Sequence, residues 1–209
     1  MNRRKALQQL GALALIAGPV GLALSQKEES FKVLKMSVPV GTPGKIEVLE
    51  FFHYDCPHCH DFDPLIAQWI KRLPNDVAFV RVPVIWGKQL EGFARLHYTL
   101  QVMKRLDLHE KIFEDVRKKK MPLYEPEIVR KWAGANGMDV SGFMGAYDSF
   151  GVNTQVQRAK QLGGLYGIDS VPSMAVGGRF LTSASMVGTS HEDVLKVVDS
   201  LIERVRKGK

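Results

Sequence analysis

The chain has 209 residues, 45% apolar and 24% charged, which is enough to bury a normal core and is not the composition of a disordered chain. Of its formal charge of +7, three units come from Arg3, Arg4 and Lys5; without residues 1–25 the balance is 26 basic to 22 acidic, or +4, too mild to argue for a nucleic-acid partner. The two cysteines, Cys56 and Cys59, are three apart, so no disulfide framework is available to staple the fold.

In chain order, the N-terminus reads as an export signal. Arg3, Arg4 and Lys5 precede an apolar stretch, Leu10 to Leu24, and Ala23-Leu24-Ser25 supplies small residues for cleavage before Gln26. The 15 apolar residues, broken by Pro19, are short of the roughly 20 that a spanning helix needs, although an uncleaved anchor is the alternative. Arg3-Arg4 followed by Leu7 partly matches a twin-arginine signal, but Ala6 stands at the usual Phe position, so Sec export fits as well. Either route leads to an oxidising compartment, the periplasm, where a lone close cysteine pair points to chemistry rather than stapling.

Residues 26–44 read as a lead-in. Residues 45–53, KIEVLEFFH, are a nearly continuous apolar run, as expected of a strand buried on both faces. Phe62, Leu65, Ile66, Trp69, Ile70 and Leu73 then fall on one helix face, with Pro64 predicted to kink that helix and Pro74 to stop it. Residues 77–85 read as a second strand, parallel to the first through a right-handed crossover.

Residues 87–167 change to helical periodicities, with stripes at Ile128, Val129, Trp132 and Ala133 and at Val152, Val156, Ala159 and Tyr166. The run Arg117-Lys118-Lys119-Lys120 reads as a solvated helix end. After Gly167, two short apolar runs around Gly177-Gly178 predict a hairpin, and Ser190 with Asp193 resembles a capping box opening a last helix. With the helical block set aside, β-α-β followed by β-β-α is a thioredoxin fold. The expected division is a signal peptide over 1–25, a thioredoxin-like domain over 26–86 and 168–209, and a helical insertion over 87–167.

The segment Cys56-Pro57-His58-Cys59-His60 has three readings: a c-type haem attachment site, half of a zinc site, or a dithiol/disulfide redox centre. Haem disagrees with a motif set between a buried strand and a helix. Zinc lacks a second ligand pair, since His97, His109 and His191 are scattered along the sequence. A redox pair suits the strand-to-helix junction: an exposed Cys56 beyond the helix N-terminus gains thiolate character from free N–H groups and the dipole, while Cys59, one turn in, is shielded. Pro57 fits the first helical position, and the His58 imidazole is placed to donate to the Cys56 sulfur. Glu50 shares a strand face with Ile46, Val48 and Phe52, so its carboxyl is expected to be buried with a raised pKa, able to exchange a proton with Cys59. On pattern alone Val171-Pro172 is a turn before a strand, and Asp63 and Arg81 are an ion pair.

The leader, C-P-H-C after VLEFFHYD, the helical block and the later Val171-Pro172 together resemble the thiol:disulfide interchange protein DsbA family over nearly the whole mature chain. The resemblance implies a monomeric exported oxidase that donates a Cys56–Cys59 disulfide to unfolded or folding proteins with free thiols, uses no other cofactor and no metal, and is reoxidised by a quinone-linked membrane oxidase of the DsbB type. It implies that Glu50 is the family's buried acid, that Asp63 and Arg81 are the charged pair beside it, with Arg81 where Lys is common, and that Val171-Pro172 is a cis-proline loop whose backbone pairs with extended substrate. The loop 182–190 is a candidate contact for the membrane partner. Alternatives are an isomerase or reductase of the same fold, which in this compartment usually has an added N-terminal domain for which residues 26–44 are too short, and an unfolded-protein holdase without essential redox chemistry.

Overall fold

The structure is a computed structural model that describes residues 30–188 and 190–208. The expected signal peptide lies outside the described residues.

A five-stranded sheet has the order β1 (Lys32–Val33), β5 (Phe180–Ser183), β4 (Ser173–Val176), β2 (Ile46–Phe52) and β3 (Val77–Pro83). β2 and β3 are parallel, with Glu50 opposite Arg81, and the other pairings are antiparallel, with Glu50 opposite Met174 on the far side. Because β2 is paired on both edges and covered on both faces, Val48, Leu49, Phe51 and Phe52 are all buried, which explains its nearly unbroken apolar sequence. β4 and β5 are joined through Gly177 and Gly178, at φ of 58° and 67°, with Arg179 N–H donating to the Val176 carbonyl. Two successive positive φ values are those of a type I′ turn, which matches the right-handed strand twist.

One sheet face packs on α1 (Pro57–Ile70) and α8 (His191–Arg206) through Val48, Phe62, Ile66, Trp69, Val176, Val198 and Leu201. Trp69 Nε1 donates to Asp199 at 2.7 Å and ties the two helices together. The Ser190 hydroxyl accepts from Asp193 N–H at 3.2 Å, capping α8. α1 runs through Pro64 as one continuous helix and ends at Ile70, short of Leu73, because Arg72 and Leu73 turn back with tighter bonds to Trp69 and Ile70.

Between β3 and β4 come α2 (Lys88–Val102), α3 (His109–Arg117), α4 (Pro126–Ala135), α5 (Val140–Tyr147) and α6 (Phe150–Tyr166). Part of this block covers the second sheet face: Ala94 and Tyr98 of α2 and Val152, Val156 and Ala159 of α6 meet Leu49, Phe51 and Val82. The remainder forms a third core of Phe93, Leu96, Phe113, Trp132 and Phe143 that reaches Phe52, Tyr54 and both cysteines.

Three expectations need correction. The lead-in supplies β1, an edge strand too short to show periodicity, which pairs Lys32 with Leu181 and Val33 with Phe180. The expected loop over 182–190 is the end of β5 followed by a four-residue helix, α7 (Ala184–Val187), with Thr189 outside the described residues. The basic run is not simply solvated: Arg117 donates to the Asp55 carbonyl at 3.1 Å, and Lys119 meets the buried Asp115 at 2.6 Å.

Candidate active site

The cysteines stand where β2 hands over to α1. Cys56 is itself the N-cap, in an extended conformation, and its sulfur accepts the backbone N–H of Cys59 at 3.3 Å, the position Ser or Asp usually fills. Pro57 occupies the first turn, where a missing N–H goes unnoticed. Contrary to expectation, Cys56 is not openly exposed. Only 6% of its surface is accessible, because the Val171 segment leans over it, with Sγ 3.6 Å from the Val171 carbonyl. Cys59 is fully buried.

The two thiols are unbonded and differ sharply in acidity. Cys56 is lowered to about 6: the Cys59 thiol donates to its sulfur, burial opposes ionisation, and the N–H groups of Cys59 and His58 and the charge of the His58 ring favour the thiolate. Cys59 is pushed far up, chiefly by burial and then by its bond to Cys56, with the Glu50 charge adding to the effect.

Beneath the pair, Glu50 is buried and raised to about 7, primarily by desolvation, which outweighs the attraction of Arg81. Arg81 Nε lies 3.1 Å from Glu50 Oε2, and its Nη2 donates to Asp63 Oδ1 at 2.6 Å. Burial disfavours the Asp63 carboxylate, yet contact with His109 and Arg81 more than compensates and holds it below the usual carboxylate range. The acid and the charged pair named from sequence therefore meet in one cluster, with both carboxyls buried and Arg81 partly so.

His97 and His109, expected to be scattered, converge. The Tyr54 hydroxyl is 3.0 Å from His97 Nδ1 and 2.8 Å from His109 Nδ1, and His109 Nε2 is 3.3 Å from Asp63 Oδ1. The sequence carried a signal for both: each holds a core position in an apolar helix stripe, Phe93-Leu96-His97-Leu100 and His109-Ile112-Phe113-Val116. A histidine inside such a stripe must find a buried partner. Among the described residues no three His, Cys, Asp or Glu side chains are grouped to hold a metal ion. His60, which completes the haem pattern, stacks on Phe113 with ring centroids 5.6 Å apart.

The Val171–Pro172 peptide bond is cis. Beside it a cleft of about 220 Å³ is lined by His58, Ser170, Val171, Pro172, Ser183 and His191. The His58 and His191 rings are 6.4 Å apart across it. A larger cleft of about 560 Å³, bordered by Gly92, Arg95, Tyr124 and Tyr147, is lined by neither cysteine.

A thioredoxin-like sheet, an N-capping cysteine with a stabilised thiolate and a buried partner thiol three residues on define a protein thiol:disulfide oxidoreductase. Residues 47–196 match the DSBA-like thioredoxin domain. The thiol:disulfide interchange protein DsbA of Bordetella parapertussis is 40% identical over 200 residues, covering 95% of this chain and 96% of that protein. That of Pseudomonas aeruginosa is 35% identical over 202 residues, covering 94% and 95%. The crystal structure of Pseudomonas aeruginosa DsbA superposes with a TM-score of 0.82 at 36% identity, over 86% of this chain and 94% of that one. DsbA from Xylella fastidiosa gives 0.78 at 27%, over 85% and 96%. The chain belongs to the DsbA family.

Proposed function

We propose that this oxidoreductase works in the periplasm as a dithiol oxidase, donating a Cys56–Cys59 disulfide to newly exported proteins. The observation that carries this reading is Cys56 at the helix N-cap, its sulfur accepting the Cys59 N–H at 3.3 Å and its pKa lowered, beside a fully buried Cys59. A stabilised thiolate stabilises the reduced form, and the disulfide is then the better oxidant.

A substrate thiolate attacks Cys56 Sγ. The Cys56–Cys59 bond breaks, and Cys59 leaves with the electron pair and takes a proton from Glu50. The second substrate thiol, having lost its proton to solvent, attacks the mixed disulfide and expels Cys56 as a thiolate. Two electrons have passed from the substrate dithiol to the cysteine pair, and solvent restores the Glu50 proton. His58 stabilises the departing Cys56 thiolate, and Asp63 and Arg81 tune Glu50. Extended substrate pairs with the Val171 backbone at the Val171–Pro172 loop, a mode indifferent to client sequence. The cysteine pair is the only redox group the cycle requires, and a quinone-linked membrane oxidase of the DsbB type removes the two electrons. The chain acts as a monomer, with residues 87–167 an insertion in a thioredoxin-like domain formed by 26–86 and 168–209, behind a cleaved signal over 1–25.

The test is the redox equilibrium of the purified protein against glutathione, paired with thiolate absorbance as pH is varied. A strongly oxidising disulfide with a Cys56 midpoint near 6 supports the oxidase. A reducing equilibrium would assign the chain to the reductase or isomerase side of the family.

A further inference from the structure

The mechanism uses Glu50, Asp63 and Arg81, but the buried polar chain does not stop there. It continues from Asp63 to His109, Tyr54 and His97, so six side chains, from β2, the loop after it, α1, β3, α2 and α3, are linked, five of them buried and Arg81 partly so. Elementary valence fixes the direction of this chain. The Tyr54 hydroxyl has a single proton but faces two Nδ1 atoms. It donates to one and must accept from the other. Asp63, paired with Arg81, is an acceptor; His109 Nε2 faces its Oδ1 at 3.3 Å, too poorly aligned for a full hydrogen bond, and Nε2 is the nitrogen whose proton suits this contact. In a neutral His109, Nδ1 is then bare and accepts from Tyr54, and His97 must hold its proton on Nδ1 and donate to the Tyr54 oxygen. Both imidazoles are kept neutral chiefly by burial.

We infer that Tyr54, His97 and His109 form a directional relay, hydrogen-bonded from His97 through Tyr54 to His109 and closed on Asp63 by the 3.3 Å contact of His109 Nε2, and that Tyr54 and His109 are positioning residues that set how Arg81 divides between Asp63 and Glu50. The inference rests on the reading of Glu50 as the proton donor to Cys59. With the His109 Nε2–H turned toward Asp63, part of the Asp63 charge is offset, and Arg81 remains shared with Glu50. Without that donor, Asp63 draws Arg81 to itself and Glu50 loses its counter-charge. Protonating His109 would reverse the relay: Nδ1 would donate to Tyr54, which would turn its proton to His97 Nδ1 as His97 moves its own proton to Nε2.

Glu50 feels Arg81 from β3 and Asp63 and Cys56 from α1 and its cap, and itself acts on Cys59. His109 feels Asp63 and Arg81, and His97 feels His109 and Arg81.

The first experiment is imidazole nitrogen NMR of the wild-type protein near neutral pH. The relay requires opposite tautomers, Nδ1–H for His97 and Nε2–H for His109; two identical tautomers overturn it. The second is the pH dependence of the rate at which a peptide dithiol reduces the Cys56–Cys59 disulfide. The wild type should inflect near 7 and Glu50→Gln should not. Tyr54→Phe and His109→Leu should move the inflection upward by about half a unit or more, and His109→Gln, which keeps an N–H donor, should restore part of it. An inflection that disappears in Glu50→Gln but is unmoved in folded Tyr54→Phe and His109→Leu overturns the relay and leaves the proton role of Glu50 standing. An inflection that persists in Glu50→Gln removes that role, and the relay's effect on catalysis with it.

Discussion

Arg81 Nε lies 3.1 Å from Glu50 Oε2, across the parallel β2–β3 pairing that sets the two residues opposite each other. The same guanidinium also holds Asp63, so one cation serves two buried carboxyls. Replacing Arg81 with Met leaves both without it. Breaking a buried ion pair by removing one partner typically costs about 3–5 kcal/mol. We expect a loss of that order in urea unfolding at pH 8, and a Glu50 midpoint displaced above its wild-type value near 7. Arg81→Lys retains the charge but not the fork, and should fall between the two. A loss in Arg81→Met no larger than in Arg81→Lys would mean the cation is not shared.

Glu50 makes a second prediction, in stability against pH. Its folded pKa, about 7, is above the ordinary 4.5, so it binds a proton more tightly when folded. Its contribution is fully present below pH 4.5 and is lost as pH rises through 7. Glu50→Gln, which cannot ionise, should therefore be more stable than the wild type at pH 8, by up to about 3 kcal/mol. The gap should close toward pH 4.5. Denaturation midpoints across this range check it, and parallel curves would show that Glu50 titrates normally.

The elements nearest the cysteines were legible because each had a local cause. β2 declared itself by burial on both faces, α1 by its stripe, and the hairpin by Gly177-Gly178. Glu50 was found because a lone acid interrupted an apolar strand face. Long-range partners left no such mark. β1 is a two-residue strand that exists only because β5 offers an edge, and nothing in residues 26–44 foretells that pairing. Cys56 looked exposed because the residue that covers it, Val171, is 115 positions away. The convergence of His97 and His109 on Tyr54 depends on how α2 and α3 pack, which periodicity can hint at but not fix.

The thiolate of Cys56 predicts how the reduced and oxidised forms diverge. A thiol whose pKa falls from 9 unfolded to about 6 folded is bound by fewer protons when folded. Its stabilisation of the reduced protein is fully present above pH 9, and is lost as pH falls through 6. The stability of the reduced form relative to the oxidised form should thus rise with pH across that window. His58→Pro removes both the His58 N–H and the ring charge that favour the thiolate, whereas His58→Ala removes only the ring. We expect Cys56 to move back toward 9 in the order wild type, Ala, Pro, with the disulfide becoming about tenfold less oxidising per unit. An unchanged glutathione equilibrium in His58→Pro would rule out His58 as a determinant.

The last prediction separates the two sulfurs. Cys56 Sγ has the one accessible surface, caps the helix and is the better leaving group, while Cys59 is sealed with a strongly raised pKa. Attack by a substrate thiolate must therefore land on Cys56, and Cys59 resolves the adduct. Cys59→Ser keeps a small hydroxyl in the buried position and leaves Cys56 able to form mixed disulfides that nothing within the chain can release. Cells producing Cys59→Ser should accumulate disulfide-linked adducts visible on non-reducing gels, and Cys56→Ser should not, because its remaining thiol is buried and protonated. Accumulation on Cys56→Ser instead would reverse the roles, and would require the cover over Cys59 to open in the course of the reaction.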